Sequence, residues 1–139
     1  MSYKIISKFI KDISFEIPNI KAFVMLEKEI SNYSLNFDIK SKPYKDNIIE
    51  VNTILKIAPG ENVKHKVLTE ITGTALVSIE KNFEDKKELE KIILIKVPTE
   101  IFPTLHNTFL YLFEQAGVKK LQLAKEVDFE KMYKERKSN

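Results

Sequence analysis

The hydrophobic period of this chain changes once, near residue 80. Between residues 3 and 79 the apolar side chains mostly recur at every second position, the period of a β-strand. From residue 84 onward they recur every three or four positions, the period of an amphipathic helix. Strands followed by segregated helices predict an α+β fold. A length of 139 residues is enough for one modest core, so we expect one domain over residues 1–139.

The β half predicts four strands. We place them at residues 3–17, around 35–39, at 48–58 and at 63–79. A crossover at about residues 18–33 fits either a short helix or an irregular segment, and the proline and polar residues of 41–47 predict a turn. Short turns favour antiparallel pairing of neighbouring strands.

The second half predicts helices. Residues 84–116 are expected to be helical, with an interruption at Pro98 and an end at Gly117. Residues 118–127 are expected to form a connector, and Asp128 is placed to cap a last helix over residues 128–137. The apolar stripe of the longer helix predicts burial, either in the core or between subunits. We assign four of its residues to an oligomer interface: Phe102, Leu105, Phe109 and Leu112.

The composition argues against several classes of function. The chain has no cysteine, two histidines 41 residues apart (His65 and His106) and three isolated glycines, so we predict no metal site, no phosphate-binding loop, no cofactor and no enzyme activity. Arg136 is the only arginine among the 23 basic residues, which argues against nucleic-acid recognition despite a net charge of +3. No apolar run approaches the roughly 20 residues of a membrane span, and we expect a cytoplasmic protein that does not insert into a membrane.

The segment KDISFEIPN, residues 11–19, places side chains of opposite character on the two faces of one strand. Ile13, Phe15 and Ile17 are predicted to be buried, and the alternate positions, which include Asp12 and Glu16, to face water or a partner. Four apolar residues beside the predicted sheet either belong to the core or line a groove: Phe23, Met25, Leu26 and Val67.

Several segments together resemble the SecB family of protein-export chaperones. KDISFEIPN resembles the run that ends the first strand of that family. The similarity continues in the same order through IIEVNTILKI, KVLTEITGTALVSI, VPTEIFPTLHNTF and LAKEVDFEKMY, which together reach from about residue 5 to residue 133. Ordered motifs over nearly the whole chain are far more specific than any one of them.

The resemblance implies a four-stranded antiparallel sheet with helices packed on one side, assembled as a homotetramer that is a dimer of dimers. It implies unfolded precursor proteins as clients, held in apolar grooves without nucleotide. By position, the groove residues are Phe23, Met25, Leu26, Val67 and Tyr133. It also implies docking on SecA, the translocase motor, through one face of the sheet. The matched positions are Asp12, Glu16, Leu68 and Glu70.

The chain departs from the family pattern in ways that leave other functions open. It is basic, it ends in YKERKSN rather than in an acidic tail, and it has no tryptophan. Val97 and Lys125 stand where the family motifs have cysteine and proline. A SecB-like chaperone dedicated to one client, such as an antitoxin, remains an alternative. A basic nucleic-acid-binding or scaffold domain is a further one.

Overall fold

Four strands form one antiparallel sheet in the computed structural model, which describes residues 3–81, 83–118 and 127–138. The strands are β1 (Tyr3–Glu16), β2 (Tyr33–Lys45), β3 (Ile48–Pro59) and β4 (Leu68–Ile79). Their order across the sheet is β1-β4-β3-β2, so β1 and β2 are the edge strands. The chain forms both edge strands before the two interior strands. The segment between β1 and β2 is long because it must cross the width of the sheet.

The predicted turn at residues 41–47 is wrong for most of its length. β2 continues through Pro43, which pairs with Ile49, and the turn contains only Asp46 and Asn47. Asp46 has a φ of +50°, a conformation that Asp tolerates better than most residues. Pro43 fits because an edge strand leaves one row of N–H groups unpaired, so a residue without an N–H costs little there.

Two β-bulges interrupt the alternation of β1. They lie between Ile5 and Ser7 and between Ile10 and Asp12 in the pairing with β4. Each bulge inserts one extra residue, so the faces exchange parity. This explains why apolar residues occur at both odd and even positions early in β1. The predicted burial of Ile13 is wrong, because its side chain is 46% exposed on the edge strand.

The crossover is helical. Helix α1 (Ile20–Glu29) is followed by a single 3₁₀ turn (Ile30–Asn32). The side chain of Asn19 caps it by accepting a hydrogen bond from the Ala22 N–H at 2.8 Å. α1 buries Ala22 and Leu26, which lie four residues apart on one side of the helix.

The second half of the chain forms a nearly continuous helical rod. Helix α2 (Lys86–Lys91) passes into a π-helical segment (Ile92–Lys96, hereafter the π turn), which leads into α3 (Val97–Gln115). The rod therefore continues through Pro98, where we predicted an interruption. Gly117 ends α3 with a φ of +92°, and the Val118 N–H donates to the Phe113 carbonyl at 3.0 Å. The last helix is α4 (Phe129–Ser138), where Asp128 accepts from the Lys131 N–H at 2.9 Å.

The core lies between α3 and one face of the sheet. A Cβ at Gly73 would lie 2.9 Å from Leu105 Cδ2 and 3.0 Å from Ile101 Cδ1, so α3 sits directly against β4. The Phe15 and Phe113 rings meet edge to face with centroids 5.0 Å apart, which closes the core at β1. At the other edge Phe129 of α4 packs on Phe37 of β2 with a centroid distance of 5.2 Å. The opposite sheet face, hereafter the outer face, is left without a helix in the described part of the chain.

Candidate functional site

The outer face brings together the four residues that were matched to SecA docking. Glu16 lies directly opposite Leu68, Asp12 opposite Thr72, and Glu70 opposite Ser14. Since Leu68, Glu70 and Thr72 alternate along β4, these positions share one face of the sheet. All four matched side chains are exposed, and Leu68 is 46% exposed. The result is an acidic surface on β1 and β4, with the apolar side chain of Leu68 at one end.

A second polar group on the outer face is a hydrogen-bonded network beside this acidic surface. Lys11 Nζ lies 2.9 Å from Glu50 Oε2, which also accepts from Asn52 Nδ2 at 2.7 Å. Asn52 Oδ1 in turn accepts from the Thr74 hydroxyl at 2.6 Å. The hydrogen bond from Asn52 and then that from Lys11 lower the pKa of the Glu50 carboxyl below its usual 4.5. The network links three strands and holds Glu50 ionised.

An apolar cleft, hereafter the α4 cleft, lies between the β2 edge and α4. Its volume is about 300 Å³. Most of its lining residues are apolar or aromatic: Phe37, Ile39, Leu94, Phe129, Met132 and Tyr133. Asp38 and Arg136 complete the lining. Tyr133 was expected in a groove from its position. The cleft opens on the side of the sheet that carries the helices, because Phe37 and Ile39 lie opposite Leu55 and Thr53 of β3, both buried.

The second cleft, hereafter the crossover cleft, lies beside α1 and has a volume of about 170 Å³. Phe23, Val24, Glu27 and Val118 line it, and Leu26 forms its floor because that side chain is only 2% exposed. The Phe23 ring packs over Gly117, where a Cβ would lie 3.6 Å from Phe23 Cζ.

Two of the groove candidates are placed differently from the others. Val67 is fully buried, lines neither cleft, and donates its N–H to the Tyr33 hydroxyl at 3.1 Å. Its side chain is therefore part of the core in this structure. Met25 is half-buried on α1 and lines neither cleft. Phe23, Leu26 and Tyr133 are the candidates that the structure places in clefts.

The helix residues assigned to an oligomer interface need a correction. Phe102, Leu105 and Phe109 are 3%, 0% and 0% exposed within the single chain, because α3 buries its apolar stripe against its own sheet. Of the four assigned residues only Leu112 is partly exposed. The surface that α3 presents outward carries Pro103, Asn107 and Tyr111 instead, and Tyr111 is 62% exposed.

Sequence reasoning missed Leu94 and Phe9. The π turn shifts Leu94 from the position that an α-helical period predicts, so no periodic pattern reveals its place in the α4 cleft. Phe9 lies opposite Thr74 on the outer face and is 44% exposed, because the bulge between Ile5 and Ser7 exchanges the faces of β1. Among the residues that the structure describes, no group of three or more histidines and carboxylates could hold a metal ion.

The sequence matches a known protein family along its whole length. The family profile described as "Preprotein translocase subunit SecB" matches residues 1–139. The chain belongs to the SecB family. SecB proteins are chaperones for protein export, and no helix in the described parts of this member is long and apolar enough to cross a membrane.

Individual relatives show how far the similarity extends. The putative protein-export protein SecB of Pelagibacter ubique (strain HTCC1062) is 44% identical over 135 residues, which cover 97% of this chain and 96% of that protein. The protein-export protein SecB of Burkholderia vietnamiensis (strain G4 / LMG 22486) is 28% identical over 92% of this chain and 78% of its own length.

A solved structure shares the fold at much lower identity. It is a SecB-like chaperone of Mycobacterium tuberculosis in complex with a ChAD peptide from the HigA1 antitoxin, with a TM-score of 0.70 and 12% identity over 91% of this chain and 88% of that chain. The α+β architecture and the four-stranded antiparallel sheet are therefore those of SecB-like proteins.

Proposed function

We propose that this chain is an ATP-independent holdase that binds non-native precursor proteins in its apolar clefts and delivers them to SecA. The observation that carries the proposal is the placement of the two kinds of surface on opposite sides of one sheet. The α4 cleft opens on the helix side, and Asp12, Glu16, Leu68 and Glu70 lie on the outer face. Client and SecA can therefore occupy the chain at the same time, as delivery requires.

The clefts suit an unfolded chain because their surfaces are apolar and shallow enough to remain partly open. Burial of apolar surface is non-directional, so such sites accept many sequences. Several weak sites on one long client add through effective concentration. Binding the unfolded form delays folding by mass action and needs no nucleotide.

The acidic surface suits a basic module of the partner. Exposed carboxylates on a rigid sheet give orientation and rate of association more than affinity, and they are screened by salt. Lys56 lies opposite Glu70 on β3, so a partner must compete with a neighbouring cation at that position. We expect SecA binding to weaken as the salt concentration rises.

Paired charge and apolar substitutions separate the two activities. Glu70→Lys is expected to weaken SecA binding at least about tenfold, because it sets a lysine against the basic module expected on SecA. The suppression of client aggregation is expected to stay unchanged. Phe23→Asp is expected to weaken that suppression and leave SecA binding unchanged. Glu61→Lys, a reversal in the exposed turn after β3, is the matched control. Loss of both activities in either variant would show that the residue is structural.

We also propose assembly as a dimer of dimers. β1 has no strand on its outer side within the described residues, and Ile6, Phe9 and Ile13 on it are 51%, 44% and 46% exposed. An unpaired edge strand with apolar side chains favours pairing with a second copy. The outward surface of α3, with Tyr111, offers a second and separate contact. Two different self-contacts per chain are what a dimer of dimers needs.

The molar mass in solution tests this assembly. Phe9→Lys is expected to reduce the mass measured by light scattering from that of a tetramer to that of a smaller species, because it places a charge on the β1 edge. Leu76→Lys, on the neighbouring interior strand, is the control for an apolar residue on the outer face. A tetramer mass in Phe9→Lys would exclude the β1 edge as an assembly contact.

A second candidate is a chaperone dedicated to one client. The observation that favours it is the basic character of the chain, with a net charge of +3, where the resemblance to the SecB family leads us to expect an acidic protein. This candidate predicts intact suppression of aggregation for one client and no binding of SecA.

A further inference from the structure

The helical rod carries one irregularity, and it lies beside the α4 cleft. Within the π turn the Val97 N–H donates to the Ile92 carbonyl five residues earlier, where an α-helix would use the residue four earlier. A π turn therefore holds one extra residue. Each residue of an α-helix turns the chain by about 100°, so the extra residue changes the direction in which the neighbouring side chains point.

Pro98 gives a physical reason for this turn. In an α-helix the N–H of residue 98 would donate to the Leu94 carbonyl, but proline has no N–H, and its ring would press on that carbonyl. A helix commonly relieves this contact by a kink. Here Ile92 and Val97 are 0% exposed and Pro98 is buried, so the core holds both ends of the segment. Widening the turn is another way to relieve the contact, and the helical backbone continues through Pro98.

Pro103 shows that proline alone is not enough. It lies inside α3, five residues after Pro98, in ordinary α-helical backbone. Its ring is exposed, so the helix can adjust towards solvent at that point. We therefore attribute the π turn to the burial of Pro98, since the exposed Pro103 lies in regular α-helix.

The consequence of the turn is the position of Leu94. This residue is the centre of the π turn, is half-buried, and lines the α4 cleft. The π turn packs against α4, which contributes Phe129 and Met132 to the same cleft. Removing the extra residue would rotate Leu94 away from α4 and open the cleft on that side.

We propose that Leu94, positioned by the π turn at Pro98, sets the size of the apolar side chain that the α4 cleft accepts from an unfolded client. This inference rests on the proposed function, in which the cleft binds clients. The cleft volume of about 300 Å³ and its aromatic walls suit a bulky apolar side chain. Leu94 forms part of the cleft wall, so a substitution there changes the size of the cleft and leaves the outer face unaltered.

A guest-residue series tests the inference. Polar, unstructured peptides that differ at one position, Ala, Leu, Phe or Trp, are titrated against the full-length chain. The unaltered chain has no tryptophan, so in that titration the fluorescence of a guest Trp reports its burial without background, and calorimetry measures the affinity of every peptide for every variant. For the unaltered chain we expect affinity to increase from Ala to Leu to Phe and Trp, by about fourfold for each additional buried methylene equivalent.

Two substitutions of Leu94 move the preference in opposite directions. Leu94→Trp is expected to fill the cleft and to lower the affinity for the Phe and Trp peptides at least about tenfold. The affinity for the Ala peptide is expected to change little. Leu94→Ala is expected to increase the preference for Trp over Leu. An unchanged order and spacing of affinities in both variants would overturn the inference. If the unaltered chain binds none of the four peptides, the proposed client binding itself is wrong.

The proline pair tests the role of the π turn. Pro98→Ala is expected to change guest selectivity as Leu94→Ala does, because it allows the α-helical hydrogen bond to the Leu94 carbonyl. Pro103→Ala is the matched control, and its selectivity is expected to equal that of the unaltered chain. If Pro98→Ala has the far-ultraviolet circular dichroism spectrum of a folded chain and the same guest selectivity as the unaltered chain, the role of Pro98 is contradicted. If Pro98→Ala does not fold, the guest selectivity of the two Leu94 variants still tests whether Leu94 sets the size of the side chain that the cleft accepts.

Discussion

Glu50 shows how a single carboxylate can stiffen the outer face of the sheet. It accepts hydrogen bonds from Lys11 and Asn52, and through Asn52 it is linked to Thr74 on the neighbouring strand. Only 15% of its side chain is exposed, so these partners replace much of its hydration. The network crosses β1, β3 and β4 next to the acidic residues of the outer face. A rigid sheet there keeps the carboxylates that we propose for SecA docking in fixed relative positions.

The stability of the chain should depend on Glu50 in acid. Its pKa is lower in the folded chain than its usual 4.5, so its contribution is present above about pH 4.5 and is lost as the pH falls through the lowered value. Urea unfolding of Glu50→Gln is expected to show a smaller loss of unfolding free energy between pH 7 and pH 3 than the unaltered chain. Asp38→Asn, which removes a carboxylate that is 62% exposed, is the control. Equal pH dependence in Glu50→Gln and the unaltered chain would show that the network adds no stability.

Single residues also mark the limit of prediction from sequence. The outward position of Asp12 and Glu16 could be predicted, because alternation after the second bulge is regular. The exposure of Phe9 and Ile13 could not, since a bulge and an edge position leave no periodic signal. The sequence allows the Val67 side chain to lie either in the core or in a groove, and only the packing around it distinguishes the two locations.

At the scale of elements, α3 is the support on which both kinds of surface depend. Its apolar stripe packs against β4, and its last turn meets β1 through Phe113. The existence of this helix followed from its period of three to four residues. Its uninterrupted passage through Pro98 did not, because a proline usually signals a break and the compensating π turn depends on burial at both ends.

Two aromatic substitutions on α3 distinguish core from surface. Phe109→Ala is expected to lower the free energy of unfolding by about 3–5 kcal/mol, because a fully buried ring is removed. Tyr111→Ala, at a position 62% exposed in the single chain, is expected to change it by about 0.5 kcal/mol or less. Denaturant unfolding at a low, fixed protein concentration measures both. A larger loss for Tyr111→Ala than for Phe109→Ala would mean that the outward surface of α3 contributes more stability than its core stripe.

At the scale of the whole molecule, the sheet separates two kinds of surface. Helices cover one face and create clefts at its margins, and in the described part of the chain the other face is uncovered and carries charged side chains. The family resemblance, carried by ordered motifs along the chain, predicted this architecture and its four-stranded sheet, and the structure and the family match confirm both. The π turn and the position of Leu94 required coordinates, because they arise from contacts between residues distant in sequence.

The central claim is that client and SecA bind this chain at the same time. Calorimetric titration of SecA from the same organism into the chain, first free and then saturated with a non-folding precursor, measures this directly. We expect saturable binding of similar affinity in both titrations, no release of the client, and weaker binding by at least about tenfold for Glu70→Lys. No binding of SecA, or displacement of the client by SecA, would contradict delivery through opposite faces of the sheet.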